Sequence, residues 1–416
     1  MKTRYCFSSL DHLEWMWSIT SDETDTISSY PISLNDSGIL TICLAGIDEI
    51  PTNLGMLWLN VKGVLKHDTP WADKGHIVVE QQFDIVTSNV PEMKVEKTLL
   101  PEGRMKYHEE ESSVVVSIDR VDVVVVDKTT GLLAQFNSPS GEKFIAQSNV
   151  PLGPNFTRAS TDNDRGGAEF FFFMMFGNWV VKAYEAIFGL SGFSYHYHWS
   201  KIGLAGSDEP ITECKEVTVS STDTNDSRDS ILIKAVCVTR SGDESGRMLF
   251  DSNITYEIFS DGQVKISYQI SPTAFVKNLP SLPRIGMKTC IDSSFTKIVY
   301  VGRGPYENYP DRKTSSDMGR WSTNPTEMHV DYIVPSENGN RCDCRWISFE
   351  NKSGSGFCIK ADESVLNGLC FSAQLYETKE LHTADHTYDL PERIIGKDPI
   401  HFNIDFEMMG IGGDLR

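Results

Sequence analysis

Ser112 to Asp127 reads SSVVVSIDRVDVVVVD. Branching at Cβ costs valine rotamer freedom in a helix and lets it pack well on a pleated sheet. The stretch therefore reads as one or two strands. Moving outward, Glu216–Ser220, Ile231–Thr239, Val264–Ile270 and Thr296–Val301 repeat the period-2 pattern between Gly, Asp, Asn and Ser residues. Thr129-Thr130-Gly131 and Ser260-Asp261-Gly262 carry turn chemistry between such strands. One segment has helical spacing: Asn178–Phe188, with Trp179, Ala183, Ala186 and Ile187. The pattern predicts an all-β protein of packed sheets.

Three divisions follow. Residues 1–90 hold short strand candidates, Leu40–Leu44 and Gly55–Leu65 among them, with Ser18–Ile32 polar and loop-rich. That length and pattern suit one immunoglobulin-like β-sandwich. Residues 91–111 (PEMKVEKTLLPEGRMKYHEEE) are charged and poor in β pattern, which predicts a linker. Residues 112–416 continue as strands without a second break.

A chain of 416 residues buries a core without disulfide or metal staples. Its net charge of −20 repels phosphate backbones, so nucleic acid is not an expected partner. Such a surface suits a neutral ligand such as a sugar, and serves solubility equally. The nine cysteines are spread thinly and form no disulfide framework. Cys342 and Cys344 would share a strand face, but two thiolates make half a zinc site and no CxxC completes it. No metal site is expected. Met1–Leu10 has no apolar signal core, so Asn155-Phe156-Thr157 and Asn253-Ile254-Thr255 read as chance sequons and a cytoplasmic location is expected. Phe170–Val181 (FFFFMMFGNWVV) is shorter than the ~20 residues of a membrane-spanning helix. It is expected to be buried in this chain or against a partner, and no membrane association is expected.

A Gly-rich phosphate loop, a GxSxG elbow and an HExxH motif are all absent from the sequence. Polar residues concentrate in four clusters instead. Arg158–Gly167 (RASTDNDRGG) offers Asp162, Asn163, Asp164, Arg165 and Gly166: two Asp around an Asn could ligate a hard cation or form a self-bonded loop. Gly302–Arg312 (GRGPYENYPDR) offers Glu307, Asn308, Asp311 and Arg312 beside two tyrosines. That chemistry suits sugar recognition or a buried Arg–carboxylate brace. Pro335–Arg345 (PSENGNRCDCR) offers Glu337, Asn338 and Arg341, and Met408–Asp414 (MMGIGGD) is a Gly-rich turn.

These clusters, in this order and with LPRIGM at Leu282–Met287, resemble the last domain of family 2 β-galactosidases, the small chain. Ser9-Leu10-Asp11-His12 with Trp15, Leu57-Trp58-Leu59, and Trp71–His76 (WADKGH) followed by Gln81-Gln82-Phe83 resemble the immunoglobulin-like domain before it. The resemblance implies a large galactose-mutarotase-like β-supersandwich for 112–416. It also implies hydrolysis, with retention, of terminal β-D-galactose from β-galactosides such as lactose. Retention needs two carboxylates ~5–5.5 Å apart. In the family these, the Mg²⁺ ligands and most galactose contacts sit on a preceding TIM barrel. Met1 falls where the immunoglobulin-like domain would begin, and no Glu here matches a catalytic motif. The expectation is therefore no catalytic residue and no cofactor in this chain.

What the resemblance assigns to the small chain is the rim of the substrate mouth, through the loop after RASTDND near Arg165 and Gly166. The family's stacking Trp after GGD has no counterpart before Arg416. Expected partners are a barrel-bearing large subunit or a second copy, with β-galactosides bound by the complete enzyme. Two rival readings remain open: a free-standing carbohydrate-binding protein, and a mutarotase-type epimerase. The latter would need an acid–base histidine such as His382 or His386, neither of which lies in a matched motif. Trp71, Trp179, Trp199, Trp321 and Trp346 read as core or interface, and His76 as structural.

Overall fold

The computed structural model describes residues 10–22, 28–32, 56–85, 104–146, 150–166, 175, 177–188, 193–222, 229–362, 365 and 367–412. The chain is all-β, its described strands joined as antiparallel sheets with a few short helices between them. It divides into two compact units, one of residues 1–97, 300–305 and 316–321, the other of 98–299, 306–315 and 322–416.

In the first unit, strands Ser28–Ile32, Leu13–Ser21, Leu57–Leu65 and Ile77–Ile85 form one sheet in that order. Leu13, Trp15, Trp17 and Ile19 alternate inward and pack with Leu57, Val61 and Leu65. A Cβ on Gly63 would lie 3.2 Å from the Trp15 ring and 2.9 Å from Val79, so the ring crosses where a side chain cannot fit. Gln82 closes the unit: its Nε2 donates to Met318 O at 2.8 Å, and its Oε1 accepts from Met318 N at 2.7 Å. The polar stretch Ser18–Ile32, expected as loop, supplies parts of two strands, because its ladder bonds go to neighbours rather than to water. Leu40–Leu44 lies outside the described residues.

The second unit has a valine sandwich. One sheet runs Met105–Glu109, Ser113–Ile118, Val121–Asp127, Leu133–Phe136; the other runs Ile211–Thr222, Ser230–Arg240, Met248–Phe259, Val264–Pro272. Val114, Val116, Val124 and Val126 of the first share one core with Ile233, Ile254, Tyr256 and Ile258 of the second. Ser112–Asp127 is thus a hairpin, turning at Asp119 (φ +48°) and Arg120 (φ +76°). Met105–Glu109, placed in the linker by sequence, is an edge strand paired to Ser113–Ile118. Its side chains are largely exposed, so no apolar alternation betrays it. Residues 91–103 lie outside the described part.

A third sheet, in the order Arg341–Cys344, Leu369–Gln374, Ile400–Met408, Arg284–Ile291, Gly153–Asn155, holds part of the Pro335–Arg345 cluster and ends at Met408, where the C-terminal cluster begins. Behind it Phe156 stacks on Phe250, ring centroids 4.0 Å apart, in a cluster with Trp199, Ile202 and Leu249.

Helix Asn178–Phe188 forms as predicted. Trp179 and Ile187, each 72% exposed, lie at the surface, while Val181 is buried. Of the apolar run, residues 170–174 and 176 lie outside the described part, and Met175 is exposed. Trp71 is exposed with its ring edge against exposed His76, whereas Trp199 is fully buried.

Candidate functional site

Thr161 caps a single helical turn, Asp162–Arg165, with a reciprocal capping box to Asp164. That cap turns Asp164 inward and leaves Asp162 and Asn163 exposed. The buried Asp164 takes both ends of Arg158: Nη2 to Oδ1 at 2.6 Å and Nε to Oδ2 at 3.1 Å. The fully buried Arg158 also donates from Nη1 to Met409 O at 2.7 Å and from Nη2 to Gly410 O at 3.1 Å, and its guanidinium lies 5.4 Å from the Trp199 ring centroid. Paired charge and carbonyl acceptors offset the desolvation of a buried arginine.

The same contacts draw the distant motifs together. Asn163 Nδ2 donates to Ile411 O at 2.7 Å, and Gly412 N donates to Asp311 Oδ2 at 2.6 Å. A Cβ on Gly410 would fall 2.4 Å from Asp311 Cγ, so only glycine passes there. Glu337 N donates to Ala159 O at 3.0 Å. The first cluster, Asp311 of the second, Glu337 of the third and the C-terminal turn thus form one network.

A second buried charge group adjoins it. Arg284 Nη2 lies 2.8 Å from Glu337 Oε2, and its Nη1 lies 3.8 Å from Asp405 Oδ2. Burial pushes the Asp405 carboxyl up to about 7; Arg284 opposes the rise and Glu337 adds to it. The Tyr309 phenol is pushed well above its ordinary range by burial, then by Glu337 and Glu307. Glu307 accepts from Arg312, from the Tyr332 hydroxyl and from Gly339 N. Asn308 bridges to Cys342, whose N donates to Asn308 Oδ1 at 2.8 Å. Asn338 Oδ1 accepts from Val330 N, and Arg341 Nη1 donates to Gly339 O and Asn340 O.

Arg165 Nη2 donates to His382 O at 3.2 Å. His382 Nδ1 accepts from Ser160 N at 3.1 Å, a bond that needs a neutral ring. Burial, then neighbouring His196 and Arg165, hold His382 down at about 4. His386 lies apart, beside Asp389.

The structure therefore brings every sequence-singled residue of these motifs into one region and separates their roles. Asp164, Glu307, Asn308, Asp311, Glu337, Asn338 and Arg341 are occupied by bonds within the chain. Asp162 and Gly166 are exposed; Asn163 and Arg165 are tethered by the bonds described above. The cation reading of Asp162–Asn163–Asp164 does not survive, because Asp164 faces Arg158. Cys342 and Cys344 are both buried across a bulge at Asp343 (φ +56°), and Cys342 meets Cys370 rather than a metal set. Arg158, Arg284 and Asp405 were not singled out from sequence. For Arg284 and Asp405 the available signal was a charge inside an apolar strand-like run, which implies a buried partner; Arg158, in a polar stretch outside any strand, gave no such signal. Among the described residues a groove of about 310 Å³ is lined by Glu216, Thr218, Lys234, Asn253, Thr255 and Gln269, none of them a motif residue.

Residues 121–415 match the family described as β-galactosidase small chain, and residues 1–86 match β-galactosidase domain 4. A β-galactosidase of Pseudoalteromonas haloplanktis is 28% identical over 358 residues, covering 86% of this chain and 30% of that protein. One of Priestia megaterium is 25% identical over 427 residues, covering 100% of this chain and 34% of that protein. The chain thus spans about a third of the length of these relatives. Among solved structures, an amine oxidase of Aspergillus nidulans aligns with 84% of this chain and 63% of its own at 9% identity and a TM-score of 0.31, too distant to bear on function. With the small-chain match covering most of its length and the motif network intact, the chain belongs to the β-galactosidase small-chain family.

Proposed function

We propose that this chain supplies the scaffold and part of the substrate-mouth rim of a β-galactosidase whose catalytic carboxylates and Mg²⁺ reside on a barrel outside it. The observation that carries this is the division of the Asp162–Arg165 turn. Asp164 is locked inward by Arg158, while the adjacent Asp162 is held out by the same cap. This division of inward and outward carboxylates supports a rigid rim. The complete enzyme would act on terminal β-D-galactosides such as lactose. All seven described cysteines are free, which supports a reducing, cytoplasmic setting. Among the described residues no helix is long and apolar enough to cross a membrane.

Co-expression with a barrel-bearing β-galactosidase portion in a galactosidase-null host tests the reading. Nitrophenol release from a chromogenic galactoside is expected only with both parts present. Asp162→Ala is expected to raise KM more than it lowers kcat. Activity of the barrel portion that is unchanged by this chain would overturn the scaffold role.

A further inference from the structure

Cys214 and Cys237 face each other across the pair Ile211–Thr222 and Ser230–Arg240. A register shift follows Cys214, and Cys214 N donates out of the ladder to Thr129 O at 2.7 Å. Both sulfurs crowd one point: a Cβ on Gly131 would lie 2.5 Å from Cys237 Sγ and 3.1 Å from Cys214 Sγ. Gly131 (φ +71°) thus forms the floor of a small thiol pocket. Directly opposed residues place their Cβ atoms ~4.5–5.5 Å apart, slightly wider than the ~3.5–4.5 Å a disulfide prefers. A bridge there closes with a small inward shift and stays reducible. Cys214 is half-buried on an edge strand, whereas Cys237 is buried.

We propose that Cys214 and Cys237 form a reversible redox modification site, oxidised by small-molecule disulfides. Cys214 is the entry thiol: as thiolate it attacks oxidised glutathione, forming a mixed disulfide and releasing one glutathione thiolate. Cys237 then attacks the Cys214 sulfur, its proton passes to the leaving glutathione sulfur, and a second glutathione leaves. Two protein thiols lose two electrons, and one small disulfide becomes two thiols. Burial, then neighbouring Cys214, pushes the Cys237 thiol up to about 12, so the second step is the slow one. The pair Cys342 and Cys370 is an internal comparator. Its sulfurs lie 3.3 Å apart, but both are buried, so the entry step is blocked.

The test treats the reduced, folded full chain with oxidised glutathione, quenches with acid, alkylates and maps peptides. The expected result is a linked Cys214–Cys237 peptide, reversed by excess reduced glutathione, with Cys342 and Cys370 still alkylated. Cys237→Ser is expected to trap glutathione on Cys214, and Cys214→Ser to leave Cys237 reduced. The wild-type map decides the matter if a variant fails to fold. A stable glutathione adduct on wild-type Cys214, a link formed first between Cys342 and Cys370, or two unmodified thiols would each overturn the proposal.

Discussion

Ile254, Tyr256 and Ile258 meet Val114, Val116 and Val124 across the sandwich, all fully buried and all apolar-faced. Arg158, Asp164, Arg284, Glu337 and Asp405 sit almost as deep in the same compact unit, held by charge pairs. The first region distributes its stability over many small, interchangeable contacts. The second concentrates it in a few partners, each of which leaves a stranded charge when its mate is lost. The first region can tolerate drift, whereas the geometry of the motif network depends on the second.

The sharpest way to break this contrast is to remove one brace partner. Arg158→Ala strands Asp164 and is expected to cost about 3–5 kcal/mol in urea unfolding. Pairing Arg158→Met with Asp164→Leu is expected to recover most of that loss, since an apolar pair of similar size leaves no charge unpaired. The matching cut in the sandwich, Ile254→Val, is expected to cost only about 0.5–1.5 kcal/mol. Equal costs for Arg158→Ala and Ile254→Val would erase the distinction.

Proton linkage gives a smaller effect with a definite sign. Asp405 has a folded pKa of about 7 against its ordinary 3.8. The folded state therefore holds its proton more tightly, and this group's contribution to stability falls as pH rises through that window. His382 and His401, both at about 4, act oppositely, and stability is lost as pH falls from about 6.5 toward 4. Asp405→Asn removes only the first trend. Relative to wild type, the variant's stability is expected to rise between pH 4 and 7, by on the order of 1 kcal/mol per pH unit. A pH-independent difference would place Asp405 in a charged, solvated state.

At the exposed end of the same turn the effect on folding should nearly vanish. Asp162→Ala is expected to change stability by less than about 0.5 kcal/mol. The isolated chain should also show no galactose binding by ligand-observed NMR at millimolar concentration, an affinity of about −4 kcal/mol. Micromolar binding would favour the free-standing carbohydrate-binding reading.

The two regions were also unequally legible in sequence. Runs rich in β-branched residues announce strands, so Ser112–Asp127 and Ile231–Thr239 could be read directly. Met248–Phe259 alternates just as cleanly in burial, but Asp251, Asn253 and Thr255 on its outer face obscure it. Leu369–Gln374 is buried at every residue and has no period to read. Ile400–Met408 turns Asn403 and Asp405 inward, against the usual polarity of a strand. The motif clusters were visible as dense polar residues. Their convergence was not, because Arg158–Met409 and Asp311–Gly412 join residues far apart in the chain through backbone carbonyls and amides that no side-chain pattern encodes.

On the proposed reading, this chain shapes a β-galactosidase without performing its chemistry. Nitrophenol release from a chromogenic β-galactoside, by the purified chain alone and then mixed with a barrel-bearing portion, tests it most directly. The expected result is no turnover alone and restored turnover on mixing, lost again with Arg158→Ala. Turnover by the chain alone near ~1 s⁻¹, the low end of typical enzyme values, would contradict it.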